Sequence, residues 1–585
     1  MADTVPADTA AFATTPPTLE DLQHWTWVLG RAQQMLLEHG FDLAGHLPEA
    51  PAFPGLAESR PPMAAAAAFW TDTMALWQRF FDPEHAAPFE ETPEQARDKR
   101  FKAPQWREHP LFNFLRQSYF LVSDHLLKGV DALEGVEPRY KEQIRFATRG
   151  LIDAISPSNF PATNPLVLER MIETRGESLL RGLQHMLSDL AKGQMTQTAP
   201  DAFEVGRNLA TTPGKVVKRT DLYELIQYTP TTESVYKTPI VIFPPWINRF
   251  YILDLTPEKS FIRWAVDQGM TVFVVSWRSA DATMKHVVWD DYVERGQIDA
   301  IDTVRDLLKV DAVHAIGYCV AGTTLAATLA VLAARGQAEK VRSATFFTAQ
   351  VDFSEAGDLH LFVDDEQLEL IRTLSAEGFL DGRYMAATFN LLRGRDLIWS
   401  YVTNNYLMGE DYLPFDLLHW NSDVTNLPAA WHLSYLSDLY RDNRLVQRDS
   451  LAIGGTPVDL TRVAVPAYVQ AGREDHIAPA QSVWKITDYF QGPVRFVLAG
   501  SGHIAGVVNP PASGKYQYWT NGGRARTLAE FLAGAAETKG SWWPDWVAWI
   551  GSIDSERVPA KGARVPGRGK LKALGDAPGN YVRSR

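Results

Sequence analysis

The chain has 585 residues, and 57 Lys and Arg stand against 70 Asp and Glu, which gives a formal net charge of −13. This acidic balance argues against general nucleic-acid binding, which needs a basic face. The single cysteine, Cys319, excludes intramolecular disulfides and a cysteine-based zinc site, so no metal is expected, and it fits a reducing cytoplasm.

Residues 1–202 predict a mostly helical N-terminal region. Residues 1–62 are rich in Ala and Pro, so we expect the start of the chain to be disordered, and it lacks the pattern of a secretory signal. Apolar residues recur at helical spacing in Phe112–Leu126 and Pro165–Leu190. The most apolar long stretch, Ala321–Ala334, is too short for a transmembrane helix, so none is expected.

From residue 203 onward, strand-like and helix-like runs alternate. The predicted strands are Lys215–Lys218, Tyr223–Tyr228, Pro239–Phe243, Thr271–Ser276, Val313–Gly317, Val341–Gln350, Ala464–Ala471 and Val494–Leu498. The predicted helices are Phe261–Gln268, Tyr292–Val310, Thr323–Ala334, Gln481–Tyr489 and Ala525–Ala535. This alternation predicts a mostly parallel sheet with right-handed crossovers.

The regular pattern lapses at about residues 352–461, before the last two predicted strands. We interpret this stretch as a mostly helical cap insertion. Residues 203–585 therefore predict an α/β-hydrolase-like catalytic domain that carries the cap. The rest of the chain, from Ser541, begins with two tryptophans that we expect in the core and ends in basic loops.

Cys319 is the candidate nucleophile. It follows a predicted strand and directly precedes a predicted helix, in the run Gly317-Tyr318-Cys319-Val320-Ala321-Gly322. Small residues two positions before and after a nucleophile allow the sharp turn that exposes it. The helix N-terminus favours the thiolate. The alternative is a buried structural cysteine, which this combination of features argues against.

The partners of Cys319 are expected after the later strands, in the order acid then histidine. Asp475 follows the strand that ends at Ala471, with Glu474 and His476 as local rivals. His503 follows the last predicted strand in a Gly-Ser-Gly setting. A turn-capping aspartate and a loop histidine without a role are the alternatives. The order Cys319, Asp475, His503 predicts a catalytic triad.

An oxyanion formed at the attacked carbonyl needs two backbone N–H donors. One should belong to Val320, directly after the nucleophile. The other should follow the early strand that ends at Pro244-Pro245, and since proline cannot donate, Trp246 or Ile247 is the candidate.

The sequence resembles the polyhydroxyalkanoate synthase family over nearly its whole length, and within that family it looks like the short-chain, single-subunit branch. Besides the run around Cys319, the stretches that carry the resemblance are His109–Asn113, Ser158–Pro165, Asn248–Leu255, Trp420–Asn426 and Gly502–Pro510. One departure is Ala321, where the family usually has glycine.

The resemblance implies an acyltransferase that polymerises (R)-3-hydroxyacyl-CoA and releases CoA, through a thioester on Cys319. Asp475 would serve the second step, either as base for the incoming hydroxyl or through His503. The implied partners are the 3-hydroxyacyl-CoA substrate, the surface of cytoplasmic polyester granules and a second copy in a homodimer. No separate cofactor is implied, since CoA is part of the substrate and a product.

Two further residues are candidates for substrate contact. Arg249 is a candidate for the CoA phosphates, which need basic groups. Ala505, two residues after His503, resembles the short-chain branch and favours monomers such as 3-hydroxybutyrate. Two other functions stay open: a thioesterase or depolymerase on the same fold, and a non-catalytic granule-binding protein. The complete Cys, Asp and His set argues against the second.

Overall fold

The computed structural model describes residues 63–82 and 89–584. The expected disorder of the chain start therefore lies outside the described residues. The chain divides into two compact units. Of the described residues, those up to 195 and those from 393 to 412 form the first unit, and residues 196–392 and 413–584 form the second.

The first unit is helical. Its main helices are α1 (Met63–Phe81), α2 (Pro110–Asp131), α3 (Pro138–Ala154), α4 (Pro165–Glu173) and α5 (Glu177–Lys192), and Pro93–Ala96 and Gln105–Glu108 are single turns. A small aromatic core joins α2 and α3 to the segment before them, with Phe101 packed edge-on against Trp106 at 4.9 Å between ring centroids. The single helix predicted over Pro165–Leu190 is broken at Arg175 and Gly176, which both have positive φ.

Residues 393–412 fold with this helical unit although they come from within the predicted cap. Their π-helical turns span Arg395–Trp399 and Val402–Leu407. The guanidinium of Arg395 pairs with Asp153 at 2.9 Å, and the hydroxyl of Tyr406 donates to Asp189 at 2.7 Å.

The second unit is built around one sheet of eleven strands. They are β1 (Gly214–Arg219), β2 (Tyr223–Tyr228), β3 (Ile240–Phe243), β4 (Val272–Trp277), β5 (Val313–Tyr318), β6 (Val341–Phe347), β7 (Ala467–Gly472), β8 (Val494–Ala499), β9 (Gln517–Thr520), β10 (Ala536–Lys539) and β11 (Gly575–Asp576). Their spatial order is β11-β1-β2-β4-β3-β5-β6-β7-β8-β9-β10. Strands β3 to β8 are parallel, and β1, β2 and the last three are antiparallel to their neighbours.

This sheet confirms the predicted α/β-hydrolase fold class. All eight predicted strands are present, and the fully buried parallel strands are mostly apolar, as a sheet covered on both faces requires. Because every parallel strand ends at the same edge, the segments after β5, β7 and β8 meet there.

Helices cover both faces of the sheet. They are α6 (Phe261–Asp267), α7 (Asp299–Leu308), α8 (Val320–Ala334), α9 (Asp365–Leu374), α10 (Gly382–Leu392), α11 (Asp416–Ser422), α12 (Ala429–Ser434), α13 (Ala480–Trp484), α14 (Leu528–Ala533) and α15 (Trp543–Ile553). Helices α7 and α8 share one apolar core with the cap segments, whereas α6 and α15 pack in the core on the other face.

The structure differs from the sequence prediction mainly after β8. The sheet continues through β9, β10 and β11, which were not predicted, and the stretch expected to run from two tryptophans into loops begins with helix α15. Strand β10 has the sequence Ala-Glu-Thr-Lys and is exposed throughout, so it carries no apolar alternation that a sequence pattern could reveal. Strand β6 ends at Phe347, before Thr348 takes a positive φ.

Within the described residues, no helix is both long and apolar enough to cross a membrane.

Candidate active site

Cys319 lies in a tight turn between β5 and α8. Its backbone has φ 53° and ψ −128°, a positive-φ conformation that is rare and strained for a residue with a side chain. Its N–H donates to the carbonyl of Phe347 at 2.9 Å, and its own carbonyl accepts from Gly322 and Thr323 in the first turn of α8. The turn leaves the thiol half-buried at the N-terminus of the helix.

Two glycines make this turn possible. A Cβ built on Gly317 would lie 2.5 Å from the Cα of Gly322, and one built on Gly322 would collide with the side chain of Ala349. Strand and helix therefore approach too closely for any side chain at these two positions. Ala321, in contrast, is a buried residue inside α8, where alanine suits the helical backbone. Alanine at this position therefore leaves intact the close contact between β5 and α8 at the elbow, which is the turn formed by residues 317–322.

His503 and Asp475 form a buried hydrogen-bonded pair. The Nδ1 of His503 lies 2.7 Å from the Oδ2 of Asp475, and the Asp475 side chain is fully buried. The second carboxylate oxygen, Oδ1, accepts from the N–H groups of Ile477 and Ala478 at 2.8 and 2.9 Å. Both carboxylate oxygens of Asp475 are thus engaged, and they fix the orientation of the imidazole.

The structure distinguishes Asp475 from Glu474 and His476, the two neighbouring residues that the sequence offered as alternative acids or bases. Glu474 is exposed, and its backbone N–H binds the carbonyl of Ser501. His476 is half-buried. Of these three neighbours, Asp475 is the one whose side chain contacts His503.

The protonation of His503 depends on its two partners. Burial alone would lower its pKa, but the negative charges of Asp475 and Cys319, together with hydrogen bonds to both, raise the pKa of His503 to about 10. The arrangement therefore favours a protonated imidazole at His503, next to Cys319. The thiolate is the form of cysteine that attacks carbonyl groups.

Other buried histidines show the effect of burial without such partners. His432 lies in α12 next to Trp431, and burial lowers its pKa to about 4. His314, on β5, also has its pKa lowered to about 4, because burial outweighs the opposing charge of Asp554. The raised pKa of His503 is thus a property of its charged neighbours.

The predicted oxyanion donors lie beside the elbow in the fold. Val320 is the first residue of α8, and Trp246 and Ile247 follow β3, the strand next to β5. Among the residues described, no hydrogen bond is made to the backbone N–H of Val320, Trp246 or Ile247. The Trp246 and Ile247 carbonyls are held by Thr425, at 2.5 and 3.4 Å, so the loop is anchored on its acceptor side.

Two tyrosines from the cap region were missed by the sequence analysis. Tyr440 is buried, and its hydroxyl accepts from the amide of Gln350 at 3.3 Å. Tyr435 packs against it with ring centroids 5.6 Å apart. Burial raises the pKa of both phenols, and the negative charge of Cys319 raises each further. Two protonated hydroxyls therefore lie within electrostatic reach of the nucleophile. Tyrosines in an irregular segment give no signal of this in the sequence.

The two predicted substrate contacts lie in different surroundings. Arg249 is buried, with its guanidinium 3.4 Å from Asp423 and 3.1 Å from the carbonyl of Tyr581. These contacts tie the segment after β3 to the end of the chain, and a contact of Arg249 with CoA stays a prediction. Ala505 is half-buried in the turn that carries His503.

Two family models match the chain. Residues 97–265 match the model described as the N-terminus of poly-beta-hydroxybutyrate polymerase (PhaC). Residues 239–510 match the model of the alpha/beta hydrolase fold, a range that contains Cys319, Asp475 and His503.

Curated relatives cover most of the chain. A poly(3-hydroxyalkanoate) polymerase subunit PhaC from Rhizobium meliloti is 48% identical over 84% of this chain and 80% of its own. The protein of the same name from Cupriavidus necator is 42% identical over 88% and 87%. A poly(3-hydroxyalkanoate) polymerase from Methylorubrum extorquens is 45% identical over 89% and 85%.

Among solved structures, an esterase from Exiguobacterium antarcticum matches 50% of this chain and 92% of its own, with 13% identity and a TM-score of 0.28.

Proposed function

The chain belongs to the poly(3-hydroxyalkanoate) polymerase family and is an acyltransferase, and from this premise we propose that it polymerises (R)-3-hydroxyacyl-CoA through a thioester on Cys319. The observation that carries the proposal is the position of His503, which is hydrogen-bonded to Asp475 and lies close enough to Cys319 for the charge of the sulfur to raise the pKa of the imidazole. This arrangement couples a nucleophile, a proton carrier and an orienting carboxylate.

In the first step, the Cys319 thiolate attacks the thioester carbonyl of the substrate. The oxyanion is stabilised by the N–H of Val320 and by that of Trp246 or Ile247. The bond between the carbonyl carbon and the CoA sulfur then breaks, and the leaving thiolate takes a proton from the His503 imidazolium. The products are free CoA, an acyl group on Cys319 and a neutral His503.

In the second step, the 3-hydroxyl of another monomer attacks the acyl group on Cys319. His503 accepts the hydroxyl proton on Nε2, since Nδ1 is bound to Asp475. An ester bond forms, and the Cys319 thiolate leaves beside the restored imidazolium. Each cycle therefore adds one monomer and regenerates the starting ion pair.

Asp475 acts through His503 in this scheme. Its side chain is fully buried, and both oxygens already accept hydrogen bonds, one from His503 and one from two backbone N–H groups. A hydroxyl substrate would have to displace one of these donors to reach the carboxylate. Stabilisation of the imidazolium by Asp475 requires no such displacement.

Cysteine suits transfer better than hydrolysis. Serine would convert a CoA thioester into a more stable oxygen ester, whereas Cys319 keeps the acyl group activated for the second acceptor. Because the chain has one cysteine, the growing polymer cannot move between two cysteines of one subunit. Either one site performs both steps or two subunits cooperate.

Our proposals for the preferred monomer, for the oligomeric state and for the location of the reaction are based on the family resemblance. Ala505 next to the catalytic turn favours short monomers, with 3-hydroxybutyryl-CoA as the expected substrate. We also propose a homodimer at the surface of polyester granules in the cytoplasm.

The test is to incubate the purified protein with (R)-3-hydroxybutyryl-CoA and to follow free CoA and turbidity together. Cys319→Ala is the matched variant. The proposal predicts CoA release with a growing insoluble polyester in the wild type, and neither in the variant. CoA release with only free hydroxy acid would instead identify a thioesterase. Granule binding without CoA release, with longer monomers as well, would favour a non-catalytic protein.

A further inference from the structure

The turn that carries His503 is held by side-chain donors from outside it. Residues 502–508 form a compact turn in which the N–H groups of Gly506 and Val508 bind the carbonyls of Gly502 and Ile504 at 2.8 and 2.9 Å. The carbonyls of His503, Gly506 and Val507 do not take part in these two bonds.

Three buried aromatic side chains bind those carbonyls. The hydroxyl of Tyr318 donates to the carbonyl of His503 itself at 3.0 Å. The indole N–H groups of Trp542 and Trp543 donate to the carbonyls of Gly506 at 2.8 Å and Val507 at 2.9 Å. All three donors are at most 1% exposed, so each bond is shielded from water.

These donors come from elements that fix the rest of the site. Tyr318 is the last residue of β5 and directly precedes Cys319. Trp542 and Trp543 begin α15, and their rings pack against Phe261 in the core on the face of the sheet opposite α8. The His503 turn is thus tied to the nucleophile at one end and to the C-terminal helix at the other.

We propose that Tyr318, Trp542 and Trp543 are positioning residues that hold the turn of His503 in place relative to Cys319. The inference rests on the proposed function, since it assigns these residues to the nucleophile and base pair described there. They act on the polypeptide backbone and not on the substrate. The tryptophan pair is therefore more than core packing.

The proposal has a physical basis in the strength of buried hydrogen bonds. A buried carbonyl that loses its donor is destabilised, and the turn relieves this by shifting toward water or another donor. A shift of a few tenths of an ångström in His503 weakens its hydrogen bond to Cys319. Alkylation of Cys319, in which the thiolate is the reacting form, is then slowed because the imidazole no longer stabilises the negative sulfur as well.

The chain offers a matched control on the same helix. Trp546 is also buried in α15, but its indole N–H donates to the hydroxyl of Thr345 on β6 at 3.1 Å, away from the His503 turn. Changing Trp542 or Trp546 to phenylalanine removes the same atoms and one hydrogen bond. The two variants differ in which bond is lost.

The readout is the rate at which iodoacetamide alkylates the full-length protein, measured from pH 6 to 10. Because Cys319 is the only cysteine, the rate reports on this thiol alone. The groups that face His503 are Asp475, Cys319 and Tyr318, and the variants Trp542→Phe and Trp543→Phe change none of them. A merely structural role would not change the pH profile of a folded variant.

We expect Trp542→Phe to slow alkylation at pH 7 by about tenfold, the equivalent of one buried hydrogen bond, with rates converging at high pH where thiolate forms without help. Trp543→Phe should have a smaller effect, because the Val507 carbonyl also accepts from the N–H of Asn509. Trp546→Phe should match the wild type. If Trp542→Phe does not fold, Trp543→Phe and Tyr318→Phe provide the same comparison.

Equal profiles for Trp542→Phe and Trp546→Phe, with both folded, would overturn the inference. A separate variant, His503→Gln, tests the proposed function. If His503→Gln alkylates like the wild type at pH 7, the nucleophile and base pair itself is wrong. If His503→Gln is slow but Trp542→Phe is not, only the positioning role fails.

Discussion

The nucleophile turn and the histidine turn are held in two different ways. Cys319 is positioned by its own short segment, in which glycines at 317 and 322 allow β5 and α8 to approach closely. The turn of His503 is positioned by donors far along the chain, namely Tyr318 and the tryptophans of α15. A catalytic group can therefore be fixed either by local backbone geometry or by distant side chains, and the two should respond differently to mutation.

The largest expected effect is on the rate of CoA release, and it comes from removing the charge of Asp475, the carboxylate that is hydrogen-bonded to His503. Asp475→Asn keeps the side-chain shape but removes the charge that raises the pKa of His503. We expect CoA release from 3-hydroxybutyryl-CoA to fall by about two to four orders of magnitude. The measurement is initial CoA release over a range of substrate concentrations. A loss below tenfold, with folding intact, would show that Asp475 has no part in charge stabilisation.

The close approach of β5 and α8 at the elbow can be tested by adding a methyl group at position 322. In Gly322→Ala the new Cβ would collide with Ala349, so we expect the free energy of unfolding to fall by about 1–3 kcal/mol, as for overpacked cores. Urea unfolding followed by fluorescence measures this change.

The control for the elbow is one residue away. Ala321→Gly restores the residue usual in the family and lies inside α8, so we expect a loss of about 1 kcal/mol or less from helix propensity alone. A variant Gly322→Ala that is as stable as Ala321→Gly would contradict the close approach of strand and helix.

An effect on stability that is confined to acid pH is expected from a histidine that lacks charged partners, His432. The pKa of buried His432 is lowered from 6.5 to about 4, so the unfolded chain binds a proton in this window that the folded chain does not. The free energy of unfolding should therefore fall as the pH drops from 6.5 to about 4, by at most about 1.4 kcal/mol per pH unit from this group.

Two variants isolate this effect in urea unfolding at several pH values. His432→Gln should remove the contribution of His432 and flatten the acid side of the stability curve. His503→Gln should not change the slope in the same window, because His503 with a pKa of about 10 is protonated in both states below pH 6.5. Equal slopes for the two variants would contradict the assignment of opposite pKa shifts.

The sequence predicted the parts of the site that are local. The residues that allow the elbow lie within six positions, and each triad member directly follows a strand that an apolar run reveals. Asp475 could be placed in its turn by this rule, but its choice over Glu474 and His476 needed the contact with His503.

The parts that the sequence did not predict depend on contacts between distant segments. Tyr435 and Tyr440 approach Cys319 from a stretch without regular periodicity, and Trp542 reaches the His503 turn across more than thirty positions. Likewise, β9 and β10 are short and partly or fully exposed, so the pairing of β9 with β8 and of β10 with β9 gives no periodic signal. Periodicity reports which face of an element is buried, and not which partner covers it.

The most direct test of the central claim uses an acyl-CoA that can acylate the enzyme but cannot extend. Butyryl-CoA lacks the 3-hydroxyl acceptor, so the account predicts that the chain gains the mass of one butyryl group, located by peptide mass spectrometry at Cys319 and absent in Cys319→Ala. A butyryl group on another residue, or polymer formation from 3-hydroxybutyryl-CoA by Cys319→Ala, would contradict the Cys319 thioester as the intermediate of polymerisation.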